Sequence, residues 1–180
     1  MILFFGPAGS GKSVQGQMLA ARHGWRWISA GQLLRDMQDI EILRTINEGS
    51  LIDQTKMSEI VGEALKKAKD LEHVILDGFP RQVEQAKWLV ENTPEHERSV
   101  ALAVVLDVPV DELQQRLKIR GRKDDEVHAI EKRLDIYNKE IVPILEYLQE
   151  KGIPVKYIDG DGSVGQVHDK IETELESILK

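Results

Sequence analysis

Residues 6–13, GPAGSGKS, carry the clearest chemical pattern in this sequence. They match G-x-x-x-x-G-K-[ST], and they follow an apolar stretch and open a stretch with helical spacing. Glycines let such a loop curl so that successive N–H groups point at phosphate oxygens, with the positive end of a helix dipole behind them. Lys12 can then reach the β- and γ-phosphates of a nucleotide, and the Ser13 hydroxyl can bind Mg²⁺. The other residues of this phosphate loop that would contact the nucleotide are Gly6, Ala8, Gly9, Ser10 and Gly11.

A carboxylate at the end of a second apolar run predicts the other half of a magnesium site. In VILDGFPR, residues 74–81, Asp77 ends the strand pattern, so its carboxylate would lie at the carboxyl edge of a sheet, near a Mg²⁺-bound water. No acidic residue directly follows Asp77 to activate a water for hydrolysis. The segment NKEI, residues 138–141, departs from the Asn-Lys-x-Asp pattern with which GTPases bind guanine. Phosphoryl transfer to an acceptor other than water is therefore favoured.

The segment RLKIRGRKDD, residues 116–125, concentrates five positive charges in a chain whose formal net charge is −7. A guanidinium stays charged and offers a planar fork that matches phosphate. Arg116 and Arg120 are four residues apart, so on a helix they would share one face. Such arginines could stabilise the negative charge of a transferring phosphoryl group. A solvated helix end is the alternative, and it suits Lys118 and Lys123 best.

Short apolar runs alternate with helical patterns along the chain. The strand candidates are residues 1–5, 74–76, 100–106 and 155–158, with a weaker one at 25–28. The helical patterns cover residues 11–22, 55–71, 82–92, 110–119, 126–151 and 164–180. Near-continuous apolar strands separated by helices predict an α/β fold with a parallel sheet covered on both faces. Pro143 predicts a bend or a break in the long fifth helical pattern.

The composition predicts one domain over residues 1–180. Hydrophobic residues make up 41% and charged residues 31%, as in an ordinary globular protein.

A pI near 5.3 argues against a general binder of nucleic acid or of membrane surfaces. The absence of cysteine excludes disulfides and fits a reducing cytosol. Residues 100–106 form the longest apolar run, far short of the roughly 20 residues of a membrane span, and residues 1–6 lack the basic segment of a signal peptide. We therefore expect a cytoplasmic protein.

Five motifs in chain order resemble those of the nucleoside monophosphate kinases, and most closely those of the adenylate kinases. They are the phosphate loop, ISAGQLLRD at 28–36, DGFPRQVEQA at 77–86, RLKIRGRKDD with IEKRLDIY at 130–137, and IDGDGSV at 158–164. The resemblance covers nearly the whole chain and implies the P-loop kinase fold, with a five-stranded parallel sheet. It also implies a small helical flap at 30–59 that binds the monophosphate, and a minimal lid at 120–125. The implied reaction is reversible phosphoryl transfer from Mg·ATP to a nucleoside monophosphate.

The resemblance further implies roles for single residues. Arg35 and Arg81 would bind the acceptor phosphate, Gln85 would bind the acceptor base, and Arg116 would lie over the ATP adenine. The catalytic residues would be Lys12, Arg81, Arg120, Arg122 and Arg133. The remaining contacts would be Gly162 toward ATP, Ala30, Gly78, Arg122 and Arg133 toward AMP, and Ser13 and Asp77 toward Mg²⁺, with no zinc.

Two residues point to different acceptors. Ala30 stands where adenylate kinases usually carry threonine, and alanine there is similar to the UMP/CMP kinases. Gln85 favours AMP, because pyrimidine kinases tend to have asparagine at that place. We give Gln85 more weight, since an amide can bind a base edge directly. AMP is thus the expected acceptor, with UMP, CMP or several monophosphates as the alternative.

The lid is the larger departure from the family pattern. Gly121 alone separates Arg120 from Arg122, where even short-lid relatives usually have several residues. Glycine permits a tight turn, so we expect closure to be carried by the arginines and their flanking helices, in a monomer. The minimal lid also leaves open a different class of function, a nucleotide-sensing protein without transfer activity.

The remaining chemically active side chains are interpreted as structural or surface residues. The five histidines, which show no pair at metal-ligand spacing on one helix, are His23, His73, His96, His128 and His168. The tryptophans expected to pack are Trp25, Trp27 and Trp88. Asp124 and Asp125 could cap the following helix, and the resemblance has them also contacting the lid arginines.

Overall fold

The computed structural model describes residues 1–92, 98–122, 125 and 127–178, in which strands alternate with helices. The strands are β1 (Ile2–Phe5), β2 (Arg26–Ser29), β3 (Val74–Asp77), β4 (Leu102–Asp107) and β5 (Val155–Asp159). The helices are α1 (Lys12–His23), α2 (Ala30–Asp36), α3 (Ile40–Asn47), α4 (Gln54–Lys67), α5 (Val83–Glu91), α6 (Val110–Arg120), α7 (Val127–Glu150) and α8 (Val164–Ile178). The predicted α/β class is confirmed, and α2 and α3 are helices for which the apolar spacing gave no separate signal.

The strands form a five-stranded parallel sheet in the order β2-β3-β1-β4-β5. Asp77 lies opposite Phe4 on one side and opposite Ser29 on the other, so the carboxyl ends of β1, β2 and β3 meet at one edge. From β1 the chain builds one half of the sheet through β2 and β3, and then the other half through β4 and β5. Ligands of such sheets bind at the carboxyl edge where the strand order reverses. The phosphate loop leaves β1 at this place.

The helices cover both faces of the sheet, and the side chains of β1 alternate between them. Ile2 and Phe4 pack with apolar side chains of α1 and α8, whereas Leu3 and Phe5 pack with those of α2 to α5 and α7. All four are buried. Because both faces are covered, the central strands β1, β3 and β4 read in the sequence as nearly continuous apolar runs without polar alternation.

Helix α4 ends at Lys67, four residues before the end that its apolar spacing predicts. The cause is Arg98, which is buried and comes just before β4 in the chain. Its guanidinium donates hydrogen bonds to the carbonyl oxygens of Ala68, Lys69, Leu71 and Glu72. These carbonyls therefore accept from a distant side chain, and the chain turns toward β3 where the helical pattern alone would continue.

Of the bend or break predicted at Pro143, the break is wrong, because α7 runs without interruption from Val127 to Glu150. Proline has no N–H, so the helix loses the hydrogen bond that residue 143 would donate to the Lys139 carbonyl. Ile144 and Leu148, one residue and five residues beyond the proline, are fully buried in the core. Packing of this apolar face supplies more stability than one backbone hydrogen bond.

Strand β2 begins at Arg26 and not at Trp25. The Trp25 N–H donates to the Ala20 carbonyl oxygen at 3.0 Å, which ends α1. The indole then stacks between the rings of His23 and His73, with centroids 4.4 and 5.0 Å away. Trp25 therefore packs at the rim of the sheet, as expected.

Some predicted features lie outside the described residues, namely His96, Lys123, Asp124 and the last two residues of the final helical pattern. In the ranges that are described, no helix is both long enough and apolar enough to span a membrane.

Candidate active site

The phosphate loop connects β1 to α1 and is fixed from two sides. Gly6 has φ 144°, and a Cβ at this position would lie 2.9 Å from the Leu106 carbonyl oxygen. Gly9 has φ 86°, and a Cβ there would lie 3.0 Å from Leu117 Cγ on α6. A side chain at either position would clash and would also resist the left-handed backbone. The loop is thus held between β4 and α6 at the start of α1, where the unpaired N–H groups of a helix terminus favour an anion.

Lys12 begins α1 and folds back onto the phosphate loop. Its Nζ donates to the carbonyl oxygens of Gly6 (2.7 Å) and Pro7 (2.8 Å) and to Ser10 Oγ (3.3 Å). Burial lowers the pKa of Lys12 to about 8, with the negative charge of Asp77 acting in the opposite direction. The positive charges of Arg81, Arg133 and Arg120 contribute to this lowering. A phosphate would relieve this unfavourable environment.

Ser13 and Asp77 form the second polar pair of the site. Ser13 Oγ donates to Asp77 Oδ2 at 2.6 Å, and Asp77 is buried at the carboxyl end of β3. Hydroxyl and carboxylate oxygens are ligands that suit Mg²⁺, which keeps several waters and binds few protein groups. The described part of the chain has no cluster of three or more His, Cys, Asp or Glu side chains that could hold a metal alone. The pair therefore fits a Mg²⁺ ion that is bound mainly by phosphates and water.

Arg81 and Gln85 are locked together on the other side of the cavity. The Arg81 N–H donates to Gln85 Oε1 at 2.8 Å, and Arg81 Nε donates to the Gly78 carbonyl oxygen at 3.0 Å. Gln85 lies on α5 and is buried, as is Ala30 at the start of α2. The arginine is consequently fixed through both its backbone and its side chain.

Arg35, in the last turn of α2, is held by neighbours on the same helix. Its Nη2 donates to Gln32 Oε1 at 3.2 Å, and Gln32 Nε2 donates to Asp36 Oδ1 at 2.6 Å. Its guanidinium also lies close to Gly31, where a Cβ would be 3.3 Å from Nη1. Gln32 thus orients Arg35 through its amide oxygen.

Asp125 contacts three arginines, Arg120 and Arg122 on either side of Gly121 and Arg133 on α7. Arg120 donates from Nε to Asp125 Oδ2 at 2.8 Å, and its Nη2 also pairs with this carboxylate. The Arg122 N–H donates to Asp125 Oδ2 at 3.1 Å, and Arg133 Nη1 lies 3.5 Å from Asp125 Oδ1. Burial acts to raise the pKa of Asp125, but its hydrogen bonds from Arg120 and Arg122 and the charge of Arg133 bring that pKa below its usual value. The expected contact of Asp125 with the lid arginines is confirmed.

Arg116 connects α6 to the loop after β5. Its Nε donates to Glu112 Oε1 at 2.8 Å, and its Nη2 donates to the Gly160 carbonyl oxygen at 3.2 Å. Next to Gly160, Ser163 and Gln166 form a reciprocal cap for α8. The Ser163 N–H donates to Gln166 Oε1 at 3.0 Å, and the Gln166 N–H donates to Ser163 Oγ at 3.4 Å. The loop of residues 160–163 is therefore ordered at both ends.

These groups surround a cavity of about 650 Å³. Every residue that the sequence predicted for the site lines it. From the phosphate-loop side these are Gly6, Ala8, Gly9, Ser10, Gly11, Lys12, Ser13, Arg116 and Gly162; from the opposite side they are Ala30, Arg35, Asp77, Gly78, Arg81, Gln85, Arg120, Arg122 and Arg133. The arrangement can bind a polyphosphate along the loop and a second anion at Arg35 and Arg81.

Several lining residues were not predicted from the sequence. Glu112 orients Arg116, and the spacing of four residues with the acid first is a helical signal that could have revealed it. Gln15 lines the cavity from α1, directly beyond the phosphate-loop motif. An apolar wall has no local signal, because helical spacing assigns its members to the core; it consists of Leu34, Ile52, Met57, Ile141 and Ile144.

Comparison with known proteins gives a consistent result. The family model described as adenylate kinase matches residues 4–153. A protein of Mycobacterium marinum named adenylate kinase is 36% identical over 172 residues, which are 92% of this chain and 93% of the relative. Adenylate kinases of Prochlorococcus marinus and Porphyromonas gingivalis are 33% and 32% identical, and the matches cover 97% and 99% of this chain and 97% of each relative.

Proposed function

This chain belongs to the adenylate kinase family, and from that membership we infer that it transfers a phosphoryl group reversibly from ATP to AMP, forming two ADP. It is an enzyme, a nucleoside monophosphate kinase. The names of its relatives support AMP over UMP or CMP as the acceptor, and catalysis over nucleotide sensing.

The observation that carries this proposal is the convergence of four cations on the cavity. Arg81, Arg120 and Arg133 lie close enough to Lys12 to lower its pKa, and they come from three different parts of the fold. Like charges held this close in a partly buried site oppose one another. Two nucleotides that meet through their phosphates would bring strong negative charge to these cations.

On the donor side, the phosphate loop and Lys12 would bind the triphosphate of ATP. Lys12 already donates to oxygens of the loop, so its ammonium could exchange these partners for β- and γ-phosphate oxygens without a large movement. Arg116 would cover the adenine, and its bond to the Gly160 carbonyl supports a placement beside residues 160–163.

On the acceptor side, Arg35 and Arg81 would bind the AMP phosphate, because each guanidinium is oriented by a hydrogen bond to a neighbouring group. The Gln85 amide nitrogen can donate to an adenine ring nitrogen while its oxygen keeps the bond to the Arg81 N–H. Uracil presents a ring N–H at the corresponding edge, which would oppose this donor. The locked amide therefore favours AMP over UMP.

In the transfer itself, an AMP phosphate oxygen would attack the γ-phosphorus while the bond to the oxygen bridging β and γ breaks. The acceptor phosphate is already an anion, so no general base is required. Arg120, Arg122 and Arg133 would stabilise the charge on the equatorial oxygens, since phosphoryl transfer depends chiefly on positioning and electrostatics. Mg²⁺ at Ser13 and Asp77, the latter through water, would neutralise charge on the β- and γ-phosphates.

Residues 30–59 are proposed as the acceptor flap and residues 120–125 as the lid. The first range contains α2 and α3, the start of α4 and the loops between them. The second consists of the end of α6, Gly121 with φ 60°, and the residues that follow. With so short a lid, closure would depend on the arginines exchanging Asp125 for phosphate. A monomeric state and a cytoplasmic location stay predictions from the sequence.

The proposal is tested by incubating the protein with Mg·ATP and AMP, CMP, UMP or GMP, one at a time, and quantifying both diphosphates by anion-exchange chromatography. We expect two ADP per ATP consumed with AMP, little product with UMP, and loss of turnover in Lys12→Met.

Three outcomes would contradict the proposal. Preferred turnover with UMP or CMP would reassign the acceptor. Inorganic phosphate released without any acceptor would identify an ATPase, and binding of ATP with no turnover on any of the four monophosphates would identify a sensor.

A further inference from the structure

A buried polar contact joins α1 to α8 behind the phosphate loop. Gln15 lies on α1 two residues beyond Ser13 and is 2% exposed, and His168 lies on α8 and is 6% exposed. The two residues are 153 positions apart in the chain. Neither belongs to the groups proposed above to contact nucleotides, so their pairing in the interior needs an explanation.

The direction of each hydrogen bond follows from the chemistry of the groups. Gln15 Nε2 donates to the Val164 carbonyl oxygen at 2.9 Å, and since a carbonyl can only accept, the amide orientation is fixed. Gln15 Oε1 then faces the His168 ring, whose Nδ1 donates to it at 3.2 Å. Val164 is four residues before His168, one turn along α8. Gln15, Val164 and His168 therefore form a closed set of contacts in which His168 determines how the Gln15 amide is presented.

The other side of the ring reaches an ionic group. His168 Nε2 lies 3.3 Å from Glu172 Oε1, one turn further along α8. The same carboxylate pairs with His23 Nε2 at 2.9 Å and with Arg22 Nε at 3.4 Å, both in the last turn of α1. Helix α8 is thus tied to α1 at two points, by Gln15 near the phosphate loop and by Glu172 at the far end.

Val164 connects this contact to the nucleotide site. It is the first residue of α8 and it lines the cavity together with Gly160, Gly162 and Ser163. The proposed function places the ATP base beside these residues, whereas the phosphates lie on the loop that opens α1. The distance between the base-binding residues 160–163 and the phosphate loop therefore depends on how α8 packs against α1.

We propose that His168 is a positioning residue for the donor nucleotide: through Gln15 it holds Val164, and with it the base-binding loop 160–163, in register with the phosphate loop. The inference rests on the proposed function. It concerns ATP only, because Gln15 and His168 lie on the donor side and the acceptor groups Arg35, Arg81 and Gln85 belong to other elements.

Two substitutions at position 168 separate the contacts of the ring. In His168→Asn the amide nitrogen can take the place of Nδ1 and donate to Gln15, while the contact with Glu172 is lost. In His168→Gln the longer amide can take the place of Nε2 and donate to Glu172, while the contact with Gln15 is lost. Both are small polar replacements of one buried ring, so thermal unfolding should show similar losses of stability.

We expect His168→Gln to raise the ATP KM about five- to tenfold, the effect of one lost buried hydrogen bond, with the AMP KM and kcat within about twofold of wild type. His168→Asn should keep the ATP KM near the wild-type value. Gln15→Met, which removes the link from the α1 side, should match His168→Gln, and the double variant should be no worse than either single change because one link is being removed.

Equal ATP KM values for His168→Asn and His168→Gln, or additive effects of Gln15→Met and His168→Gln, would overturn the inference. An AMP KM that rises in parallel with the ATP KM would also overturn it, because general loosening would then explain the data. The dissociation constant of ATP, measured by titration calorimetry for the same variants, tests the link without turnover. A wild-type protein that makes no ADP from ATP and AMP would refute the proposed function. The comparison of ATP dissociation constants would then still test the link between Gln15 and His168.

Discussion

Lys12 combines two properties that are in tension, a positive charge and a buried location among three arginines. Burial lowers its pKa to about 8, so the ammonium is protonated below that pH and loses its proton as the pH rises above it. A bound triphosphate would raise the pKa of Lys12 again, because negative charge close to an ammonium favours the protonated form. Binding of ATP and binding of a proton are therefore coupled at this residue.

The coupling predicts proton uptake on nucleotide binding. At pH 8.5 the phosphates are already ionised, since their second pKa lies near 6, and ATP binding should take up on the order of half a proton at Lys12. Calorimetric titration in buffers of different ionisation enthalpy measures this number. Lys12→Arg is the control, because a guanidinium stays protonated. Uptake that persists in Lys12→Arg would show that another group titrates.

In the proposed mechanism Arg120 has a different role: its charge is paired with Asp125 in this structure, and it would act on the transfer only when phosphate replaces that carboxylate. We expect Arg120→Ala to lower kcat on the order of 10³-fold, by analogy with other transition-state arginines. Arg122→Ala should also act mainly on kcat, and the ATP KM should change much less in both variants. Steady-state kinetics with varied ATP give both values. An unchanged kcat would remove these arginines from the catalytic step.

At the scale of elements, the proposed flap contacts the helix that carries Arg133. Gly49 follows α3 with φ 71°, and a Cβ there would lie 2.8 Å from the Ala129 carbonyl oxygen on α7. The next residue is tied to the same helix, since Lys132 Nζ donates to Ser50 Oγ at 2.7 Å. The proposed flap therefore packs directly against α7.

The close contact between Gly49 and α7 predicts the effect of adding a single methyl group at position 49. Gly49→Ala should push the flap away from α7 and raise the AMP KM about tenfold, in line with the cost of overpacking a tight contact, with little change in the ATP KM. Gly152→Ala is a matched control, because Gly152 has φ 74° and a Cβ there would meet nothing within 4 Å. The control should lose stability through backbone strain alone. Equal AMP KM values for the two variants would contradict the proposed role of the contact between Gly49 and α7.

The elements show which features a sequence can predict. The strands, the phosphate loop and Asp77 follow from patterns a few residues long, and the strand ends lie within about two residues of the predicted ones. The end of α4 depends on Arg98, some 30 residues away, and the continuity of α7 through Pro143 depends on packing against the sheet. Gln15 and His168 are 153 residues apart, so no local spacing connects them. The residue types of the site were accessible from the sequence, but most of the groups that orient them were not.

At the scale of the whole molecule, Arg98 connects the segment that precedes β4 to the segment that follows α4. Its guanidinium donates to four carbonyl oxygens just beyond the end of α4, and most of its surface is buried. Replacing Arg98 with an apolar residue would leave several carbonyl oxygens without a hydrogen-bond partner in a region that admits little water. Unsatisfied buried acceptors of this kind destabilise the folded state.

We therefore expect Arg98→Met to lower the free energy of unfolding by about 3 kcal/mol, which for a chain of this size lowers Tm by roughly 6–12 °C. Scanning calorimetry or thermal circular dichroism measures the shift, and kcat at 25 °C should stay close to wild type. Arg44→Met is the control: the Arg44 pair with Glu48 is largely exposed, and its loss should change stability by less than about 0.5 kcal/mol. Similar Tm values for the two variants would show that Arg98 is not structural.

The single glycine between Arg120 and Arg122 also bears on the heat of nucleotide binding. An inserted lid domain would cover the nucleotides with a large surface, and burial of apolar surface gives binding a negative change in heat capacity. Here the turn after α6 has few residues to order and little apolar area to bury. The binding enthalpy of ATP should therefore depend only weakly on temperature between 10 and 35 °C, roughly the range over which calorimetry determines that slope. A steep dependence would show that α6 and α7 themselves move when the site closes.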